Sequence, residues 1–231
     1  MGLKGSLRNV STGVSAIPDS EVNRWPYNDD EDTSTAIDVT GNDDADISGA
    51  SYTTTRQEGS HALEFDGTDD VLEALDVNEP SEFAMTVWVY PHDLSGAQTI
   101  WGRDAIDDSP RNKRIMIDLV DSNTIEFVIF DGSNNKSVSI PSSEVSTNSW
   151  HFVGVSYSHS SENAEIYLDG VLKDTSTLEI EDDPDDLPHF TWGASYSTND
   201  QINNYNGILD DPRYWNEYLN ESQHENIFQS Y

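Results

Sequence analysis

Two segments of this 231-residue chain carry side chains suited to holding a ligand. The first runs from Trp101-Gly-Arg103-Asp104 to Arg111, Lys113 and Arg114, a group of bases in a chain that has few. The second holds Tyr196, Asn199, Asp200, Gln201, Asn203, Asn204 and Tyr205, mixing amides with tyrosines. Aromatic rings bordered by amides or carboxylates can stack a sugar on one face and hydrogen-bond its hydroxyls. Both segments are expected at one rim of the fold, with Trp101, Arg103, Arg111, Lys113, Tyr196, Asn199 and Tyr205 as ligand contacts. The same aromatics would serve equally well in a core or as loop staples. The bases pair either with an acidic sugar or with the adjacent Asp107 and Asp108.

The chain offers little for catalysis. It has no cysteine, which excludes disulfides, zinc-thiolate sites and thiol nucleophiles. No Gly-x-Ser-x-Gly elbow, His-Glu-x-x-His helix, phosphate loop or dinucleotide fingerprint occurs. The six histidines are dispersed, and His151 sits in an apolar strand pattern that makes it structural. No enzyme is expected.

Charge narrows the partners further. Forty-four acidic residues against 11 basic ones give a formal charge of −33. Nucleic acid is disfavoured, because Lys and Arg drive phosphate binding. No apolar run approaches the ~18 residues of a membrane span. Such self-repulsion destabilises a compact state in dilute buffer and is screened at molar salt, where the Debye length is about 3 Å. The chain reads as adapted to high salt, the alternative being an acidic secreted domain. The first acidic residue is Asp19, so residues 1–18 form a basic, Gly/Ser-rich unit. Leu3, Lys4, Leu7 and Arg8 mark residues 1–20 as an arm that attaches to an acidic neighbour or another subunit. A short helix and a functionless tail are the competing readings of that stretch.

From residue 21 onward the pattern is all-β: short apolar runs separated by turn residues. Strands are expected at 61–65, 83–90, 114–120, 124–130, 151–157, 164–168, 189–196 and 207–215, within a sandwich of 12 or so. The 83–90 run is apolar on both faces, as a central strand should be. Asp169-Gly170 and Asp131-Gly132 are hairpin signals. Residues 94–110 and 182–188 read as loops. Asn220 with Gln223 three residues on predicts a capped helix, with Ile227, Phe228 and Tyr231 as its apolar stripe.

Taken in order, four landmarks resemble the LamG-like jelly-roll domain of the concanavalin A-like lectin/glucanase superfamily. They are Trp25-Pro-Tyr with Ala36-Ile-Asp38-Val-Thr-Gly41-Asn, His61-Ala-Leu-Glu-Phe65-Asp66-Gly67-Thr-Asp69-Asp70, and Phe83-Ala-Met-Thr-Val-Trp88-Val-Tyr-Pro91. The fourth combines Trp150-His151-Phe-Val, Ile166-Tyr-Leu-Asp169-Gly170 and Gly207-Ile-Leu-Asp210-Asp211-Pro-Arg213-Tyr. Val71 replaces the usual aromatic after Asp-Asp, and Pro212 interrupts the last strand, favouring an edge or bulge.

The resemblance implies residues 21–231 as one jelly-roll domain of two curved antiparallel sheets. It also implies a structural calcium (Ca2+) on Asp66, the Gly67 carbonyl and Asp210, with Asp38 and Asp211 as outside members. The bland alternative is a plain Asp-Gly turn and a surface acid. Glycosidases of the superfamily use a Glu-x-Asp-x-x-Glu strand; Glu179-Ile-Glu181-Asp-Asp-Pro approaches it but places Pro184 where the last acid belongs. The stretch from Arg8-Asn-Val-Ser to Ile17-Pro-Asp resembles virion proteins of haloarchaeal tailed viruses. Together these imply a non-catalytic, homo-oligomeric protein on the surface of a virion head or tail, extracellular and in high salt. It would contact other virion proteins through the arm and adhere to host glycans or glycoprotein. Capsid or tail decoration without a ligand, a cellular adhesin, and a polysaccharide hydrolase or lyase are the alternatives.

Overall fold

A computed structural model describes residues 17–28, 34–75, 77, 81–104, 114–120, 124–130, 135–177, 189–197 and 200–231. In chain order its strands begin with β1 (Glu21–Arg24), β2 (Thr35–Ala36), β3 (Ala45–Ser48), β4 (Ser51–Thr53), β5 (Ala62–Asp66) and β6 (Val71–Leu75). There follow β7 (Glu82–Pro91), β8 (Gln98–Asp104), β9 (Arg114–Val120), β10 (Thr124–Phe130), β11 (Asn135–Ile140) and β12 (His151–Ser158). The last are β13 (Asn163–Leu168), β14 (Val171–Thr177), β15 (His189–Trp192), β16 (Ser195–Ser197), β17 (Asp200–Ile202) and β18 (Asn206–Trp215), and helix α1 (Glu221–Gln229) ends the chain.

They form an antiparallel sandwich. One sheet runs β14-β13-β12-β7-β18-β5-β4, with β1 also on β18; the other runs β11-β10-β9-β8-β15-β6-β3-β2. Period-2 alternation aims one face of each strand inward. Phe83 of the first sheet meets Phe127 and Trp101 of the second at 6.2 and 6.4 Å between ring centroids. Phe190 meets Tyr214 at 4.9 Å, and Trp25 meets Trp192 at 4.8 Å. These contacts make one continuous core between the sheets.

The expected strands are present, most of them within a residue or two at each end. The 189–196 run differs, dividing into β15 and β16 at Gly193, whose φ of +84° only glycine adopts cheaply. The stretch read as a loop from 94 to 110 instead carries β8, which pairs with β9 and β15. Its Gly102 and polar Gln98 and Arg103 hide the strand from a hydrophobicity count. Asp169-Gly170 makes the hairpin, with both residues at positive φ. Asp131-Gly132, residues 182–188 and residues 1–16 lie outside the described residues. Pro212 sits at a bulge, not an edge: β18 lies between β7 and β5, and its register with β7 shifts between Asp210 and Arg213.

The strand at 82–91 is covered on both faces. Its outer residues Ala84 and Trp88 join Phe152, Trp215, Leu219 and Ile227 in a second apolar cluster, which docks α1 on the first sheet. The expected capping box is complete: Asn220 Oδ1 accepts from Gln223 N, and Gln223 Oε1 accepts from Asn220 N.

A buried polar contact locks the same helix. Ser156 Oγ donates to Leu219 O at 2.8 Å, which leaves His224 Nε2, 2.8 Å away, to donate its proton to Oγ. The imidazole stacks on Tyr167 with 3.9 Å between centroids and lies over Gly154, where any Cβ would fall 2.5 Å from Nδ1. Burial alone pushes His224 down to about 3. Its folded value is depressed, so its contribution is present above the unfolded value of about 6.5 and is lost as pH falls toward 3. That cost is roughly 1.4 kcal/mol per pH unit inside the window. Acid titration followed by Trp88 fluorescence is expected to show helix release below about pH 5. His224→Gln, which keeps a donor for Ser156, should flatten that acid limb; an unchanged limb would assign it elsewhere.

Candidate functional site

Helix α1 and the segment before it cover the middle of the first sheet's outer face and leave its two ends open. The first end is built by register. Ser158 of β12 lies directly across from Glu82 of β7 and from Asn163 of β13. One row further in, Ser156 faces Ala84 and Glu165. Alternation puts all of these on the outer face, and Tyr218, just before α1, closes the side.

The result is a cavity of about 400 Å3 lined by Glu82, Ser158, Ser161, Asn163 and Tyr218. Ser158 and Ser160 hydroxyls donate to Glu82 Oε1 at 2.8 and 2.9 Å. Asn163 Nδ2 donates to Glu165 Oε1 and Tyr218 Oη, both at 3.1 Å, while its Oδ1 accepts from Thr175. Tyr167 donates to Glu165 Oε2. Burial, reinforced by Glu165, raises the Tyr167 and Tyr218 phenols well above their usual range, so both stay protonated donors. The pocket therefore presents a carboxylate, hydroxyls and an amide beside a tyrosine, at a volume suited to a small ligand.

Sequence reasoning gave other residues as ligand contacts. Trp101 and Arg103 lie on β8 and are 1% and 3% exposed. Trp101 packs on Phe190 at 5.3 Å; Arg103 donates to Val77 O and lies 5.0 Å over the Phe190 ring. Tyr205 is wholly buried against Phe65. These three serve the interior because aromatic area gains more from burial than from a rim. Tyr196 is half-buried and bonded to Glu73. Arg111, Lys113 and Asn199, and the arm residues Leu3, Lys4, Leu7 and Arg8, lie outside the described residues. The pocket residues were missed, although Ser156-Tyr-Ser158 and Asn163-Ala-Glu165 place polar groups at every second position of core strands.

The expected calcium set does not assemble either. Asp66 pairs with Asn206, which puts Asp210 four residues away along β18, about 13 Å. Asp210 Oδ2 instead accepts from Gln57 N and Glu58 N at 2.7 and 2.8 Å. Asp66, Gly67 and Asp210 thus do not fit one shared ion. Asp66, Asp69 and Asp70 do converge, with carboxylate oxygens within 4.8 Å, but Asp70 Oδ2 caps Asp66 N within the turn. Asp38 organises the 38–43 turn, accepting from Arg24 N and Thr40 N among others.

The adjacent aspartates of β18 titrate in opposite directions. Burial pushes Asp210 up to about 7, and its Oδ1 is buried with no partner. Burial also opposes ionisation of Asp211, but Arg213, Arg24 and the Tyr231 hydroxyl outweigh it and hold this carboxyl below its usual range. Arg24 Nε and Arg213 Nη2 each lie 2.7 Å from it, and Tyr231 Oη 2.6 Å.

Residues 65–223 match the Laminin_G_3 family, described as the concanavalin A-like lectin/glucanases superfamily. No curated protein matches the chain. Among solved structures, domain 4 of AbnA, an extracellular arabinanase of Geobacillus stearothermophilus, in complex with arabinotriose, is 18% identical with a TM-score of 0.69. That match covers 91% of this chain and 98% of that one. The botulinum neurotoxin serotype D binding domain is 15% identical, with a TM-score of 0.72, over 95% of this chain and 53% of that one. The neurotoxin DC binding domain in complex with SialylT is 16% identical, with a TM-score of 0.69, over 93% and 52%. The chain spans about half the length of these neurotoxin domains. At such identities the likeness is one of fold.

Asp210 is raised, so it favours the fold most at pH below about 4 and loses that contribution as pH rises through about 7. Asp210→Asn, which keeps an acceptor for the 57–58 amides, should unfold later than the parent in urea at pH 8, by roughly 2–4 kcal/mol. Asp211→Asn should cost about 3–5 kcal/mol by leaving two guanidinium groups short of a counter-charge. Equal effects of the two substitutions would contradict the contrast.

Proposed function

Because the chain belongs to the concanavalin A-like lectin/glucanases superfamily, we propose that it is a non-catalytic carbohydrate-binding protein that receives a neutral saccharide in the outer-face pocket. The lining of that pocket carries the reading. Glu82, Ser158, Ser161, Asn163 and Tyr218 provide the mixed donors and acceptors that sugar hydroxyls require. Glu82 and Glu165 beside it, on a chain of charge −33, disfavour an acidic sugar. Two neighbours in fold support the ligand class, one in complex with arabinotriose and one with SialylT. Binding is favoured over hydrolysis because Glu82 and Glu165 lie two strands apart in different rows, each already engaged by neighbouring hydroxyl or amide donors.

The setting belongs to the same proposal. The protein sits on the surface of a haloarchaeal virus particle, assembled as a homo-oligomer through residues 1–20, and adheres to host glycan or glycoprotein. The charge of −33 and the acid-free stretch before Asp19 support this. Among the described residues no helix is long and apolar enough to cross a membrane.

Calorimetric titration of the full chain in molar KCl with arabinotriose, cellotetraose, lactose and a sialylated trisaccharide tests the ligand. A neutral sugar is expected to bind, and Asn163→Ala to weaken it at least tenfold at a temperature where circular dichroism shows the variant still folded. Binding of only the sialylated sugar, or an indifferent Asn163→Ala, would overturn the pocket. Deleting residues 1–18 is expected to leave a folded sandwich that no longer co-sediments with particles; unchanged co-sedimentation would overturn the arm.

A further inference from the structure

The opposite open end of the same outer face is aromatic. Tyr90 of β7 and Trp150, just before β12, are both half-buried, with ring centroids 5.2 Å apart. Trp150 abuts Trp88 edge-on at 6.4 Å, which joins this end to the apolar cluster under α1. Register places Tyr90 beside Ile208 of β18, and Ile208 beside Glu64 of β5. His92 stands edge-on to Tyr90 at 5.6 Å and bridges two polar groups. Its Nε2 lies 3.3 Å from Glu64 Oε1, and its Nδ1 lies 3.3 Å from Asn148 Oδ1.

That bridge reaches the surface: the Glu64 side chain is 46% exposed and that of His92 30%. Asn148 is exposed and held at a φ of +55° while its backbone N donates to Pro91 O at 2.7 Å. Phe228 of α1 and Tyr231 just beyond it cover the neighbouring Trp88 and Phe152 but leave Tyr90 and Trp150 partly open. Exposed aromatic area edged by a carboxylate, an imidazole and an amide matches a ligand with one apolar face and a hydroxylated edge.

We propose that Tyr90 and Trp150, edged by Glu64, His92 and Asn148, are a second saccharide-binding surface that stacks a neutral pyranose ring. The inference rests on the carbohydrate-binding reading and extends it to a site of different chemistry. Glu82 and Tyr90 are eight residues apart on one strand, about 26 Å, so one sugar ring cannot touch both ends. The two ends engage separate rings of a longer glycan or separate chains, and simultaneous engagement raises affinity by effective concentration. The Glu64 carboxylate at the edge disfavours an anionic ligand at this end as well.

Cellotetraose and lactose, both neutral, are the probes, added to the full chain in molar KCl. In 15N-correlated NMR spectra the Trp150 indole resonance, assigned with Trp150→Phe, is expected to shift on titration. Trp150→Ala is expected to weaken binding at least fivefold. Should Trp150→Ala fail to fold, Tyr90→Ser and the indole shift in the parent protein carry the test. A Trp150 resonance that stays still at saturation, while Asn163→Ala abolishes binding, would overturn the aromatic surface and leave the pocket standing. A shifting indole with an indifferent Asn163→Ala would support the surface and remove the pocket. Absence of binding to either sugar would overturn both.

Discussion

Two consecutive carboxylates are buried at the centre of a sheet, and a single bulge makes that arrangement possible. Alternation along a regular strand would send Asp210 and Asp211 to opposite faces. At Asp211 the backbone enters the left-handed region, with φ at +46°, and the register with β7 slips before Arg213. Asp210 then holds the amides of the 57–58 loop, and Asp211 gathers Arg24, Arg213 and Tyr231. First strand, last strand and chain end meet at one carboxyl group. A chain with only 11 basic residues commits two of them, Arg24 and Arg213, to this one contact.

The outer face follows from what the end of the chain covers. Residues 216–231 close the middle of the first sheet with apolar contacts and one hydrogen-bonded histidine. Rows beyond their reach keep whatever chemistry the strands present. At one end that is Glu82, Ser158 and Asn163; at the other it is Tyr90 and Trp150. A single β-strand, Glu82–Pro91, thus serves the core with one face and contributes to both open ends with the other.

Much of the architecture was legible from one-dimensional signals. The alternation of Ile125, Phe127 and Ile129, the doubly apolar run at 83–90, the Asp169-Gly170 turn and the Asn220–Gln223 cap are local patterns with local causes. Strand β8 was hidden because Gly102 and the polar Gln98, Thr99 and Arg103 surround the two residues, Ile100 and Trp101, that it sends into the core. The candidate site was less legible. Residue type says that Trp101, Arg103 and Tyr205 are amphipathic and large, but not whether they face a rim or a core. Asp66 and Asp210 belong to neighbouring strands, yet antiparallel register separates them by four residues.

Turns, periodicity and the absence of cysteine are properties of the chain, and from them come the fold class, the family and the exclusion of disulfides and thiol chemistry. Tertiary structure alone decided which polar residues share a surface. Glu82, Ser158 and Asn163 are separated by 76 and 5 positions in the chain, yet they stand side by side because two strand pairings align them. Tyr90, Trp150 and Glu64 meet for the same reason. Register is a collective result of every paired backbone group and every buried side chain in the sheet, and no short window of sequence contains it.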